Sequence, residues 1–263
     1  MGWTRMTSNG RWCGWWNLQC SAPIVPLAAA IVVAETVAAW AGIAVWHPIG
    51  GVAVTPVLLA AALLATLVGW RRLGFSGPQM RAWAECAACI ALMLLGVVAL
   101  FLARGGSLRA LMSFLAGATE EELVFRLAAP IAAGGLAAWL ARRPAGDLSR
   151  WGTLPRVVAL VVAAASFTFG PGHVSEIGST AWRAVPFVAV ALLLSYVVLR
   201  TGNLVAGLLV HTLLNLTTTC YLTGGIPRDA WALVVILGLG GFALGAERAG
   251  QRLGLMVPAA ASV

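Results

Sequence analysis

Residues 116–130 read AGATEEELVFRLAAP, with three consecutive glutamates and one arginine inside a long apolar run. A carboxylate at the centre of a bilayer costs roughly 2.5–3.5 kcal/mol even on the lenient insertion scale, so charged groups at that depth face a cavity or one another and mark a site by default. Helix geometry sorts the four. Glu122 and Arg126 are four apart, share a face and stand with the acid N-terminal, the better order for an ion pair. Glu121 lies about 100° around the helix from Glu122 and is expected to stay without that partner, free to act; Glu120 points to the far side.

Two further segments carry polar atoms at similar depth. In VHTLLN, His211 and Asn215 are four apart and look from one helix face into the same space. His173 follows Gly170-Pro171-Gly172, where a helix is expected to end, leaving its imidazole at a cavity wall. A carboxylate with a histidine can hold and deprotonate water. A second imidazole and an amide can donate to an oxyanion. The alternative left open by the same residues is a zinc ion held by Glu121, His173 and His211 with a fourth position free.

Such side chains must be positioned by helices. The chain has 263 residues, 60% of them hydrophobic and 10% charged, where a soluble domain carries about 25% charged. With a mean hydropathy of +0.91, this is the composition of an integral membrane protein. Runs of apolar residues at 24–46, 52–70, 83–103, 110–140, 157–172, 184–200, 203–224 and 231–246 predict an all-α, polytopic membrane helix bundle of about eight transmembrane helices. The fourth run, at about 46 Å if helical, exceeds a hydrocarbon core of about 30 Å, and Pro130 or Gly134-Gly135 offers a place to kink or stop it.

The basic excess is entirely arginine, 17 Arg and no Lys, clustered in the gaps between apolar runs. No basic stripe with interleaved aromatics is present, which argues against a nucleic-acid partner. With the N-terminus inside, twelve loop arginines fall on the inner side and four on the outer, so both termini are expected in the cytoplasm of a multi-pass cell-membrane protein. Residues 1–21 form a polar leader in which Trp3, Trp12, Trp15 and Trp16 suit the headgroup level; 22–108 carry the first spans, and 225–263 the last span and a loose tail.

Other polar positions have plainer readings. Cys86 and Cys89 spell CxxC inside an apolar helix and read as buried thiols, and Cys13 and Cys20 have no histidine nearby to complete a metal set. Asn203 is placed to cap the helix that carries His211. Glu85 suits a surface pair with Arg81, and Glu35 has no assigned role.

Three of these segments resemble the motifs of one family, the CPBP membrane proteins (CAAX proteases and bacteriocin-processing proteins). Glu121-Glu122-Leu-Val-Phe-Arg126 is similar to its EExxxR motif, Phe169-Gly-Pro-Gly-His173 to FxxxH, and His211-Thr-Leu-Leu-Asn215 to HxxxN, in the family's order. The resemblance implies that residues 109–224 form the catalytic helix region of an intramembrane endopeptidase acting on a membrane-associated protein or peptide. It implies Glu121 and His173 as the water-activating pair and His211 and Asn215 as oxyanion donors. Glu122 and Arg126 would complete the first motif, structurally or by substrate contact. Both a metallo and a glutamic mechanism remain open at this stage, as do a catalytically idle scaffold or immunity factor and a proton-coupled transporter. The Gly-Pro-Gly within the second motif and the third acid at Glu120 depart from the pattern.

Overall fold

The structure, a computed structural model, describes residues 23–41, 55, 57–73, 84–143, 152–170, 173, 184–201 and 203–252. The Trp-rich leader, Cys13, Cys20, the side chains of Glu85, Cys86 and Cys89, and the C-terminal tail lie outside the described residues. Among the described residues every element is helical. We number them α1 (Ile24–Trp40), α2 (Val57–Val68), α3 (Ala84–Ala103), α4 (Leu108–Leu140), α5 (Thr153–Thr168), α6 (Ala184–Thr201), α7 (Leu204–Leu222) and α8 (Arg228–Arg252). Each falls on one of the eight apolar runs.

By length and composition, α4, α7 and α8 can each cross a membrane, and in the other helices the apolar stretches among the described residues are 10–17 residues long. The count of eight full spans is therefore not reproduced, although the eight helices are. Large apolar side chains such as Leu59, Leu92 and Ile236 stand on the outside, as lipid contact requires.

Helix α4 is the centre of the bundle. It neither stops nor breaks at Pro130 or Gly134-Gly135. Instead it widens into a π-helical stretch, Glu122–Ala128, between α-helical halves Leu108–Glu121 and Ala129–Leu140. Proline has no N–H to give the carbonyl one turn back and its ring crowds that carbonyl. A wider turn just before Pro130 accommodates both, and Ala129 N–H reaches back five residues to Val124 O. Every residue of the π stretch is buried, surrounded by α1, α2, α5, α6 and α7.

Gly135 has a packing role rather than a kinking one. A Cβ added to Gly135 would lie 2.8 Å from both methyl groups of Val25, so the missing side chain lets α1 close on α4. Asn203 caps α7, its side-chain oxygen accepting from Ala206 N–H at 3.0 Å.

Gly135→Ala should overpack this contact and destabilise the bundle by about 1–3 kcal/mol. Val25→Ala in the same chain should recover most of the loss, measured by reversible unfolding in mixed micelles.

Candidate active site

The π stretch delivers two buried charges to one point. Glu122 and Arg126 are 1% and 0% exposed, and Arg126 is the largest fully buried side chain among the described residues. A guanidinium without a counter-charge here would be severely destabilising. Arg126 Nη1 lies 3.1 Å from Glu122 Oε1, and its carbon stands 3.9 Å from the centroid of the Phe167 ring, on α5, in a cation–π contact. The pair foreseen from the four-residue spacing is therefore present, with an aromatic face added as a second support.

His211, on α7, enters between the neighbouring glutamates. Its Nδ1 hydrogen-bonds Glu122 Oε1 at 2.9 Å. Its Nε2 stands 3.2 Å from Glu121 Oε2, an ion-pair approach without the alignment of a hydrogen bond. Glu121 is thus without Arg126 as a partner, as its helical position requires, and stands against an imidazole of another helix. Helical spacing places it away from Arg126 but says nothing of a histidine arriving from another helix. With a carboxylate at each ring nitrogen, the set needs either two N–H groups on His211 or a proton on one carboxyl oxygen.

Of the three consecutive acids, Glu121 is the least buried, its side chain 34% exposed, although its Oε2, the oxygen that faces His211, is buried. Glu120 leaves in the opposite direction, as its place on the helix requires. The Thr55 hydroxyl hydrogen-bonds Glu120 Oε1 and also lies 2.9 Å from Glu35 Oε2, while the Thr55 N–H reaches Glu120 Oε2 at 3.4 Å. Glu35 and Glu120, unassigned in sequence, therefore meet at one threonine that joins α1 and α2 to α4.

His173 lies just beyond α5. Its Nδ1 sits 2.8 Å from the Phe167 carbonyl oxygen, so Nδ1 carries the hydrogen and donates, leaving Nε2 with its lone pair. The ring packs against Phe167 and Phe187, with centroids 4.4 and 5.1 Å away. His211 meets the same Phe167 ring at 5.4 Å. Phe167 is consequently the floor shared by Arg126, His173 and His211. The sequence did not single out Phe167; Phe169, the phenylalanine of the FxxxH match, is 56% exposed. The available signal was helical spacing: Ala163, Ala164 and Phe167 form the buried face of α5, and Phe169 falls off it. Asn215 follows His211 by one turn and is half-buried, with its carbonyl accepting from the Thr219 hydroxyl.

A small crevice of about 40 Å³, walled mainly by Trp70, Leu123, Leu204, Val205 and Leu208, reaches Glu122 between α4 and α7. Glu121, His173, His211 and Asn215 do not line it, so it is not the common hollow that the sequence suggested.

The zinc alternative needs Glu121, His173 and His211 to converge with a lone pair on each imidazole; His211 could offer only Nε2, since its Nδ1 is hydrogen-bonded to Glu122. Among the described residues no three His, Cys, Asp or Glu side chains are grouped as ligands.

Residues 103–217 match the family model described as Type II CAAX prenyl endopeptidase Rce1-like. That span runs from the end of α3 through α7 and contains all three motifs, in agreement with the resemblance to CPBP proteins. No curated protein and no solved structure matches the chain.

Arg126→Ala should destabilise the protein by about 3–5 kcal/mol, because it leaves Glu122 buried without its counter-charge. Glu122→Gln combined with Arg126→Met should cost much less. Denaturant unfolding of the two variants in matched micelles distinguishes a charge-balance role from a simple packing role.

Proposed function

We propose that this protein is a multi-pass intramembrane endopeptidase that hydrolyses a peptide bond of a membrane-associated protein or peptide. The observation that carries the reading is the position of Glu121. It is a half-buried carboxylate at an otherwise buried cluster, held 3.2 Å from an imidazole whose other nitrogen is anchored to Glu122. The match to a family of CAAX-type endopeptidases over this stretch supports the same reaction class.

In the proposed mechanism a water molecule at Glu121 gives a proton to its carboxylate as the water oxygen attacks the scissile carbonyl carbon. The lone pair on His173 Nε2 is the second proton acceptor of the site, held ready because Nδ1 is committed to Phe167 O. The carbonyl oxygen becomes an oxyanion and takes hydrogen bonds from His211 N–H and the Asn215 amide. Collapse of the tetrahedral species breaks the C–N bond. The proton held by Glu121 passes to the leaving nitrogen, giving a carboxylic acid and an amine. Glu122 and Arg126 stay paired throughout and fix the imidazole from below.

The buried charge balance favours catalysis over an idle scaffold. A scaffold has no use for a half-buried carboxylate next to an imidazole tethered on its other side, because each buried polar contact must be satisfied at a cost in stability. The arginine bias of the loops supports a topology with both termini on the cytoplasmic side.

Glu121→Gln keeps the shape and removes the base. It should lower the cleavage rate by about 100-fold or more while the protein still folds and inserts. Comparative proteomics of membrane peptides from cells producing the wild type or Glu121→Gln reads the effect. New peptide termini should accompany the wild type alone, and equal processing in both would sink the assignment.

A further inference from the structure

Glycine is a poor choice inside a helix, where alanine is ordinarily favoured. At most helical glycines here the replacement would be harmless: a Cβ on Gly96, Gly117, Gly240 or Gly241 would meet nothing within 4 Å. Gly207, in the first turn of α7, is different. A Cβ there would lie 2.8 Å from Glu122 Oε2 and 2.8 Å from Val198 Cγ2 on α6. Gly207 also precedes His211 by four residues, so the two share a face of α7.

The two ends of the Glu122 carboxylate are therefore held by two positions of one helix. Oε1 is bound by His211 Nδ1 at 2.9 Å, while Oε2 rests over the bare backbone of Gly207. We infer that Gly207 is a positioning residue, the seat that holds Glu122 close enough to α7 to anchor His211. The inference rests on the reading of His211 as a working group of the site. Ordinary van der Waals contact begins at 3.4 Å, so a methyl group at 207 would push a carboxylate now 2.8 Å from that point outward by several tenths of an ångström. The rigid carboxylate would carry Oε1 with it, stretching the bond to His211 and releasing the ring that faces Glu121. Sub-ångström misplacement of a reacting group is enough to depress turnover strongly.

Substrate access is a separate matter, because Gly207 touches Glu122 from the α7 side and not from the face on which Glu121 is partly exposed. The effect should consequently fall on kcat and spare KM.

The test uses full-length protein in lipid nanodiscs, labelled with ¹⁵N-histidine, as wild type, Gly96→Ala, Gly207→Ala, Val198→Ala and Val198→Ala/Gly207→Ala. The wild type, Gly96→Ala and Val198→Ala should share the hydrogen-bonded Nδ1–H signal of His211, assigned by its loss in His211→Ala. Gly207→Ala should shift or lose that signal. The double variant, freed of the crowding against Val198, should regain thermal stability without regaining the signal. On a membrane peptide found to be cleaved by the wild type, Gly207→Ala and the double variant should lose about 100-fold in kcat with KM within about twofold. An unaltered His211 signal in Gly207→Ala overturns the proposal. So does its return in the double variant, which would mean that helix packing alone is at stake. If even the wild type cleaves no membrane peptide, the hydrolytic reading fails, while the histidine spectra still decide the role of Gly207.

Discussion

An arginine buried completely in an apolar bundle sets the terms for everything around it. The charge of Arg126 has no water to solvate it, and in a medium of low polarity an unpaired ion is among the most costly features a fold can contain. Glu122 supplies the counter-charge from one turn away, and the ring of Phe167 supplies a polarisable face. Because Glu122 Oε1 is then already committed, a further N–H donor can join it as a bridge, and His211 does so. The ion pair is thus both a solution to burial and the foundation on which the imidazole is mounted.

The backbone adapts to the same constraint. Pro130 removes a hydrogen bond from a helix that must run unbroken through the centre of the protein, and the π stretch ahead of it absorbs the defect. Wider turns of this kind are frequent at functional sites, since they re-aim side chains without ending the helix. Here the stretch begins at Glu122 and contains Arg126, so the irregularity and the buried charges occupy the same seven residues. Helices α1 and α7 approach this core through glycines, Gly135 under Val25 and Gly207 under the Glu122 carboxylate. Small residues serve this purpose in membrane proteins because lipid offers no hydrophobic drive to press helices together, and close packing has to supply it.

The three adjacent glutamates show how one segment can serve three environments. A rotation of about 100° per residue sends them to different sides of α4. Glu122 turns to Arg126 and His211. Glu121, the least buried of the three, turns to the second nitrogen of His211. Glu120 turns to Thr55 and, through that hydroxyl, to Glu35 on α1. The last cluster ties the first two helices to α4, so the segment links assembly of the bundle to the geometry of the candidate site.

Much of this was legible from the chain alone. Hydropathy located the eight helices, because apolar runs between arginine-rich gaps leave few other solutions in lipid. The spacing of Glu122 and Arg126 indicated their pairing, and Asn203 its cap, because both are local relations along one helix. Relations between helices were not legible. Period and spacing define angles about one axis, but not how that axis is rotated against its neighbours. Only the packed bundle decided that Glu121 meets His211, that Glu120 finds Thr55 and Glu35, and that Phe167 rather than Phe169 floors the site. The same limit hid the role of Gly207, since the space that a missing side chain leaves is visible only when the neighbour that fills it is in place.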